Sequence, residues 1–256
     1  MELNLKGKNV LITGGSKNLG KAIVKAYLDE GANVVFTWYH DKAKAKKTFE
    51  ELAPFAQGFF ADMRADALNE DDVNATFNFC YEKMGSVDVL INNACPSGKE
   101  KVLIQDMTDE FWDKEMFGAI TPMYLHTRRL CVDCIEKKRK CHIVNVSARE
   151  GIKIFSVPGM SAFAAGKAGV IMYTRTLAYQ MAPYGIIING LIPGLVLDEE
   201  SKADSAYAHI ANNKRPGPLK EPATAAEVAK LAVYLGSDVA RYIVGSNVDI
   251  TGGCLL

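Results

Sequence analysis

The feature that most constrains the fold is an alternation of short apolar runs with longer amphipathic stretches along almost the whole chain. The apolar runs are rich in β-branched residues and end at glycine, asparagine or proline. Strands of a parallel sheet that is covered on both faces have this composition. The sequence therefore predicts strands within residues 8–15, 32–39, 56–63, 87–94, 141–147, 185–194 and 246–253.

The amphipathic stretches predict helices at about residues 18–30, 42–53, 69–84, 108–138, 160–182 and 224–236. Strand–helix alternation builds right-handed βαβ units. A chain of 256 residues without an internal repeat or a shift in composition suits one large domain. We therefore predict an α/β fold. It is a single Rossmann-like, doubly wound domain over residues 1–256, with a seven-stranded parallel sheet and helices on both faces.

One long irregular segment, residues 195–222, contains "NNKRPGP" and precedes the last predicted helix. Loops of this length inside a compact domain are usually functional. We interpret it as a substrate-covering loop.

The charge balance argues against several classes of partner. Thirty basic and thirty acidic residues give a formal net charge of zero, so no footprint for nucleic acid or an anionic membrane is visible. No signal segment opens the chain and no apolar run approaches a membrane span. We expect a cytoplasmic protein that acts on a small molecule, without a nucleic-acid or membrane partner.

The six cysteines are unevenly spaced and do not form a disulfide framework. Cys131 and Cys134 form a CxxC pair, which shares one face of a predicted helix. No second CxxC or histidine pair completes a zinc site. We interpret these thiols as buried and structural and predict no metal site.

The first predicted strand runs directly into "TGGSKNLG", Thr13 to Gly20, and then into a helix. Backbone N–H groups can approach a pyrophosphate at such a turn only if the side chains are minimal or turned away. Asn18 stands where a middle glycine is common, and asparagine tolerates a left-handed φ better than most residues. We assign to a dinucleotide site Gly14, Ser16, Lys17, Asn18, Leu19 and Gly20.

The end of the second predicted strand indicates which dinucleotide binds. Enzymes that prefer NAD usually carry an acidic residue there to hold the ribose 2′-hydroxyl. Here Trp38 and Tyr39 occupy the position, so no carboxylate repels a 2′-phosphate. Lys17 offers a cation to that phosphate, although it could also be an ordinary solvated loop lysine. The sequence favours NADP(H) over NAD(H).

Further motifs then follow in a recognisable order: "NNA" at 92–94, "IVNVS" at 143–147, "AGKAG" at 165–169, Pro193–Gly194 and "DITGG" at 249–253. Over nearly its whole length the chain resembles the short-chain dehydrogenase/reductase family, its oxoacyl-carrier-protein reductase-like members most. The resemblance implies an NAD(P)(H)-dependent oxidoreductase that forms a homo-oligomer, commonly a homotetramer.

The same resemblance extends the cofactor site. It implies that Asp62 lies by the adenine, Asn92 and Ala94 by the ribose, and Val196 by the carboxamide. Cys95 stands where the family has glycine, a mild departure. The further cofactor residues that the resemblance implies are Met63, Asn93, Pro193 and Gly194.

The family's chemistry implies four catalytic groups. A tyrosine exchanges a proton with the substrate oxygen, a lysine lowers its pKa and holds the ribose, a serine binds the substrate, and an asparagine anchors a water relay. Lys167 matches the lysine, but four residues earlier Phe163 replaces the tyrosine. A phenyl ring has neither a donor nor an acceptor.

The serine and the asparagine are also replaced. Laying "NVSAREG", residues 145–151, on the family pattern "N-I-S-S-x-x-G" makes Ser147 the first serine and puts Ala148 at the catalytic second one. The family asparagine follows a tryptophan by seven residues, and counting from Trp112 reaches Ala119. By this resemblance, Lys167 is the one member of the family's four catalytic groups that the chain retains.

A missing general acid costs about 10²–10⁴ in rate, or roughly 3–5 kcal/mol. Ketone reduction develops a full alkoxide and needs that acid, whereas conjugate reduction spreads the charge into an enolate that water protonates later. Family members that resemble dienoyl-CoA reductases also lack the tyrosine. We predict an NADPH-dependent reductase of an activated C=C bond.

Three alternatives stay open: a carbonyl or oxoacyl reductase with a substitute proton donor, a catalytically idle NADP(H)-binding protein, and a non-redox lyase or isomerase. Arg149 could bind an acidic substrate or an enolate, or it could simply pair with Glu150. Tyr173 is better explained as a core residue. The substitute donors near the site in sequence are Ser147, Arg149, Glu150, Ser161 and Tyr173.

Overall fold

A computed structural model describes residues 2–95, 100–154, 159–197 and 217–256. Within it, one sheet of parallel strands has the order β3-β2-β1-β4-β5-β6-β7. The strands are β1 Asn9–Ile12, β2 Asn33–Trp38, β3 Phe60–Arg64, β4 Val89–Asn92, β5 Cys141–Val146, β6 Ile186–Pro193 and β7 Asn247–Ile250. The predicted seven-stranded parallel sheet is confirmed.

The helices begin and end within two residues of the predicted limits. They are α1 Asn18–Asp29, α2 Lys42–Leu52, α3 Glu70–Met84, α4 Asp109–Glu136, α5 Ser161–Met181 and α6 Ala225–Leu235. Not one of these described helices has the length and apolarity needed to cross a bilayer.

Four helices begin at a side chain that accepts a hydrogen bond from the first turn. The capping residues are Asp41 for α2, Asn69 for α3, Thr108 for α4 and Thr224 for α6. By contrast, α1 follows Lys17 and α5 follows Met160 without a side-chain cap. The first-turn N–H groups of these two helices are therefore not satisfied by a capping side chain.

Side chains alternate between the two faces of the sheet and build two cores. Helices α1, α2 and α6 cover one face, where Val10, Ile12 and Phe36 are fully buried. Helices α3, α4 and α5 cover the other face, where Leu11 and Leu90 are fully buried. Both faces are covered, which explains why the strands are near-continuous apolar runs.

The strand order reverses between β1 and β4, which are neighbours in the sheet. In an open parallel sheet this point leaves a crevice at the carboxyl ends of the strands, where ligands bind. The glycine-rich loop after β1 and the "NNA" segment that ends β4 flank the crevice.

The ends of the predicted substrate-covering loop are joined to each other. Leu197 N donates to Ala223 O at 2.9 Å, and Ala223 N donates to Leu195 O at 3.0 Å. Val196 and Ala223 form an isolated parallel bridge. Residues 198–216 of this loop lie outside the described residues.

Candidate active site in the crevice

The loop after β1 turns as its sequence predicts. Gly14 has φ +68° and Asn18 has φ +48°, both in the left-handed region. A Cβ atom on Gly20 would lie 2.1 Å from the carbonyl oxygen of Gly14, so only glycine fits there. The loop closes tightly on itself and directs backbone, rather than side chains, towards the crevice.

Hydrogen bonds tie this loop to the end of β4. The Thr13 hydroxyl accepts from the backbone N–H groups of Asn93 and Ala94, both at 3.0 Å. The Asn93 amide donates back to the carbonyl oxygens of Thr13 and Gly14, also at 3.0 Å. Asn93, predicted as a cofactor residue, therefore holds the two walls of the crevice together.

The loop fits a pyrophosphate. The start of α1 has no side-chain cap, and a helix N-terminus with free N–H groups attracts an anion. Asn18 Oδ1 is buried and has no hydrogen-bond partner among the described residues. Lys17 is exposed at the start of the helix, Ser16 O accepts from Thr48 at 2.8 Å, and Leu19 packs against the core.

The ends of β2 and β3 form the neighbouring part of the crevice edge. The Trp38 indole N–H donates to Asp62 Oδ2 at 2.6 Å, so the two predicted residues form one unit. The guanidinium of Arg64 lies 4.9 Å from the centre of the Tyr39 ring. Met63 lies between Asp62 and Arg64 on β3 and is half-buried.

Sequence reasoning missed Arg64. The residue pairs with Trp38 in the parallel register of β2 and β3, and its side chain is exposed. The signal was available, because this arginine ends the strand beside the one whose last residue indicates the cofactor. We call residues 13–20, 38–39, 62–64 and 93–94 the cofactor end of the crevice.

The end of β6 lies along the same edge of the sheet. Pro193 ends the strand, and Gly194 N donates to Ile250 O at 3.2 Å. A Cβ atom on Gly194 would lie 2.8 Å from Thr251 Cα, so the turn can lie this close to the residue after β7 only because Gly194 has no side chain. Val196 follows in the bridge to Ala223.

Lys167 lies on α5 and is 4% exposed. Its Nζ donates to the carbonyl oxygen of Val146, the last residue of β5, at 3.1 Å. The same Nζ lies 5.7 Å from the centre of the Phe163 ring, one helical turn earlier, within the range of a cation–π contact. The ammonium group that the sequence singled out therefore faces an aromatic ring.

Ser147 and Ala148 follow β5. Ser147 is buried, and its hydroxyl donates to the backbone carbonyl of Lys167 at 3.0 Å. That hydroxyl holds α5 against β5. Ala148 comes next, half-buried with an extended backbone. The tight turn after it packs directly on α5, since a Cβ atom on Gly151 would lie 2.7 Å from the carbonyl carbon of Lys167.

Helix α4 supplies the wall behind α5. Ala119 is fully buried, and its Cβ lies 2.8 Å from where a Cβ on Gly166 would be. One turn before Ala119, Glu115 is 2% exposed, and neither carboxylate oxygen has a hydrogen-bond partner among the described residues. Burial raises the pKa of the Glu115 carboxyl. We call residues 115–119, 147–151 and 163–167 the reaction end of the crevice.

The candidate substitute proton donors lie in different environments. Arg149 Nε lies 3.1 Å from Oε1 of its neighbour Glu150, so the two side chains form an ion pair. Ser161 is exposed at the start of α5. Tyr173 lies farther along α5, and burial raises the pKa of its phenol.

Comparison with known proteins agrees with this geometry. The model of the family described as enoyl-(acyl carrier protein) reductase matches residues 14–254. A 3β-hydroxysteroid dehydrogenase 1 from Eggerthella lenta is 31% identical over 99% of this chain and 95% of its own. The 3-oxoacyl-[acyl-carrier-protein] reductase FabG of Vibrio harveyi is 31% identical over 98% of both chains.

A solved structure of a short-chain dehydrogenase from Burkholderia cenocepacia in complex with NADP superposes with a TM-score of 0.87. It is 25% identical and covers 98% of this chain and 99% of that one. The fold and the crevice define a dinucleotide-binding oxidoreductase. The chain belongs to the short-chain dehydrogenase/reductase family.

Proposed function

We propose that the protein is an NADP(H)-dependent reductase of an activated C=C bond in a small molecule. The whole chain, residues 1–256, acts as one dinucleotide-binding domain. The observation that carries the proposal is the Phe163 ring beside the ammonium of Lys167, with Ala148 half-buried after β5. In the assignment that the resemblance implies, Phe163 and Ala148 stand where the family has the tyrosine that protonates the substrate oxygen and the serine that binds it.

The cofactor end supports NADP(H) over NAD(H). Trp38 stands where an acidic residue would hold a ribose 2′-hydroxyl, and its indole is engaged with Asp62. Arg64 and Lys17 offer cations near that position, and a guanidinium is well shaped for a phosphate. The complex of the Burkholderia cenocepacia dehydrogenase with NADP agrees with this assignment.

The remaining cofactor contacts follow from the family resemblance. Lys167 would hold the nicotinamide ribose, Ala94 would lie beside it, and Val196 would face the carboxamide. When bound, the nicotinamide supplies the hydride. Because Lys167 Nζ hydrogen bonds to the end of β5, its ammonium is fixed at the edge where the strands end.

The chemistry of the reaction end favours carbon as the hydride acceptor. Reduction of a ketone places a full negative charge on one oxygen, which a positioned acid normally neutralises. Phe163 and Ala148 cannot donate a proton, and the Ser147 hydroxyl donates to backbone. When hydride arrives at the β-carbon of a conjugated carbonyl, the charge spreads over an enolate, and water protonates it afterwards.

The names of the relatives support two chemistries. The matching family model is described as an enoyl reductase, and an enoyl group carries a conjugated C=C bond. The two curated relatives are named as a hydroxysteroid dehydrogenase and an oxoacyl reductase. These names favour, as a second candidate, a carbonyl reductase in which a substrate group or water replaces the tyrosine.

One experiment separates these possibilities. NADPH and NADH are titrated against the protein by fluorescence, and the tighter binder is then used to screen ketones and matched enones. We expect tighter binding of NADPH and oxidation of NADPH by enones. Ready reduction of ketones with enones untouched would overturn the proposal. Binding without turnover would favour the idle protein, and absence of binding would favour the lyase or isomerase.

We also propose a homo-oligomer, as the resemblance implies, with a homotetramer as the expected form. Helices α4 and α5 pack against each other and carry large apolar side chains on their outer surface. These exposed residues are Phe117, Tyr124, Val132, Met172 and Tyr179. Exposed large apolar side chains on two packed helices are consistent with a subunit interface. Within each subunit, the loop 195–222 would cover the substrate.

A further inference from the structure

The glycine-rich loop after β1 is held from outside the crevice by one side chain of α2. The Thr48 hydroxyl donates to the carbonyl oxygen of Ser16 at 2.8 Å, although the two residues are 32 positions apart in the sequence. Thr48 is only 2% exposed, so water does not readily replace it as the donor. The contact ties the loop that would bind phosphate to the helix that follows β2.

The partner of this hydroxyl is unusual for a threonine within a helix. Such a hydroxyl commonly bonds to the carbonyl oxygen four residues earlier in the same helix. Thr76 of α3 donates to Asp72 O in this way at 2.8 Å, and Thr174 of α5 likewise bonds within its own helix. Thr48 donates to a different segment of the chain. Its hydroxyl therefore helps to fix the position of the loop.

A second contact places the same part of the loop against the end of β2. Gly15 N donates to Thr37 O at 2.9 Å, and Thr37 immediately precedes Trp38. Ser16 and Lys17 consequently lie on the side of the crevice that β2 and α2 form. A dinucleotide-binding fold of this kind places the ribose 2′ substituent of the adenosine on that side.

The hydrogen bond from Thr48 also restricts the backbone of Lys17. The peptide group between Ser16 and Lys17 is planar, so a fixed Ser16 carbonyl limits the position of the Lys17 Cα, from which the side chain leaves. The Lys17 side chain is exposed and is the basic side chain of the loop. Lys21 of α1 is in an ion pair with Glu51 of α2 at 2.7 Å, which is a second tie between the start of α1 and α2.

We propose that Thr48 is a positioning residue that directs Lys17 towards the 2′-phosphate of NADP(H). The inference rests on the proposed preference for NADP(H) and names the residue of α2 that supports it. Without the hydroxyl, the Ser16 carbonyl would lose its donor, and the peptide would be freer to rotate. The charge of Lys17 would remain, but its side chain would have to be ordered when the nucleotide binds. A group that is ordered only on binding contributes less to affinity.

The test compares the dissociation constants of NADPH and NADH, measured by fluorescence titration of the protein. Thr48→Val keeps the shape of the side chain and removes the hydroxyl. We expect its preference for NADPH over NADH to fall about 2–10-fold, the equivalent of one neutral hydrogen bond. Thr48→Ser retains a hydroxyl and should retain the preference. If Thr48→Val melts at a lower temperature but keeps the ratio of the two affinities, the role of Thr48 is only structural and the proposal is overturned.

Thr76→Val is the matched control, because it removes a buried hydroxyl that bonds within α3. Its ratio of affinities should equal that of the unmutated protein. Lys17→Met examines the same route without a change in α2, and it should lower the preference for NADPH by more than Thr48→Val does. Adding Thr48→Val to Lys17→Met should lower the preference little further, since both substitutions act on one ammonium group.

An unchanged ratio in Lys17→Met would overturn the proposal even if Thr48→Val did not fold, and so would independent effects of the two substitutions. If the unmutated protein binds NADH as tightly as NADPH, the proposed cofactor preference fails and this inference fails with it. If the unmutated protein prefers NADPH and Thr48→Val keeps that preference, this inference alone fails. All these results are binding constants, so none depends on which substrate the enzyme reduces.

Discussion

The cofactor end and the reaction end of the crevice use their polar side chains in different ways. At the cofactor end, the Thr13 hydroxyl and the Asn93 amide each take part in two hydrogen bonds that fix the backbone around a tight turn. At the reaction end, Ser147 and Lys167 also bond to backbone, and the ring of Phe163 lies beside the Lys167 ammonium. Among the described residues, the cofactor end leaves Asn18 Oδ1 without a hydrogen-bond partner beside the loop, whereas at the reaction end the carboxylate oxygens of Glu115 lack partners within the wall behind α5.

This difference separates binding from proton transfer. A dinucleotide is held largely by backbone N–H groups, glycine geometry and cations, and the cofactor end has all three. Proton transfer needs a titratable or hydroxyl side chain in reach of the substrate. In the proposed assignment, Phe163 keeps the ring of the tyrosine without its hydroxyl, and Ala148 and Ala119 have no polar side-chain group. The same fold would then deliver hydride to a less demanding acceptor.

Restoring the tyrosine and serine hydroxyl groups should produce the largest change in activity. In the double variant Phe163→Tyr, Ala148→Ser we expect kcat/KM for ketone reduction to rise about 10²-fold or more, because a positioned general acid is restored. Steady-state kinetics with NADPH and paired ketones and enones measures the effect. Turnover of enones should continue, since it does not require the acid.

Phe163→Leu is the matched control for that variant. It removes the ring from beside Lys167 without adding a hydroxyl, so ketone reduction should not rise. If the double variant binds NADPH normally but gains no ketone reduction, the pocket has diverged in more than its donors. The assignment of these two positions as the lost acid and serine would then be wrong.

The cofactor end should respond to loss of one cation. Arg64→Leu should weaken NADPH binding about 10–100-fold, because a charge-assisted hydrogen bond is worth roughly 1.5–3 kcal/mol. NADH binding should hardly change, since NADH lacks the 2′-phosphate. Fluorescence titration of both nucleotides measures the ratio, and the effect should shrink with added salt.

Arg241→Leu is the matched control, because it removes another exposed arginine after α6, at the opposite edge of the sheet. Its NADPH affinity should equal that of the unmutated protein. Equal weakening of NADPH and NADH by Arg64→Leu would mean that Arg64 shapes the adenosine pocket without contacting a phosphate.

The sequence predicted the fold almost completely, because the local signals agree with the tertiary structure. Apolar runs end at glycine or asparagine, and Asp41 and Thr224 cap their helices as their residue types suggest. The left-handed φ of Asn18 was also foreseen from its place in the loop. Such features depend on residues that are close together in the sequence, so a single sequence is enough to predict them.

The site was less predictable where distant segments meet. Arg64 was missed because its proximity to Tyr39 comes from the register of β2 and β3. Glu115 was missed because the hydrophobic periodicity of α4 does not show that this carboxylate is buried in a contact between helices.

Glu115 provides the smallest of the expected effects, and its sign follows from burial. The folded-state pKa of this carboxyl is raised above its usual value of 4.5. As the pH rises above 4.5, the unfolded chain ionises first, so the protein loses stability until the folded carboxyl has also ionised. Glu115→Gln cannot ionise and should escape this loss.

Thermal unfolding across pH measures the difference. The variant and the unmutated protein should melt at similar temperatures in acid, and the variant should melt about 2–6 °C higher near neutral pH. Glu110→Gln is the control on the same helix, because backbone and Thr108 hydrogen bonds lower the pKa of the exposed Glu110. If the unmutated protein instead gained stability relative to Glu115→Gln as the pH rises from acid to neutral, Glu115 would be paired with a cation rather than buried alone. The wall behind Lys167 would then carry a charge, and the polarity of the reaction end would approach that of the cofactor end.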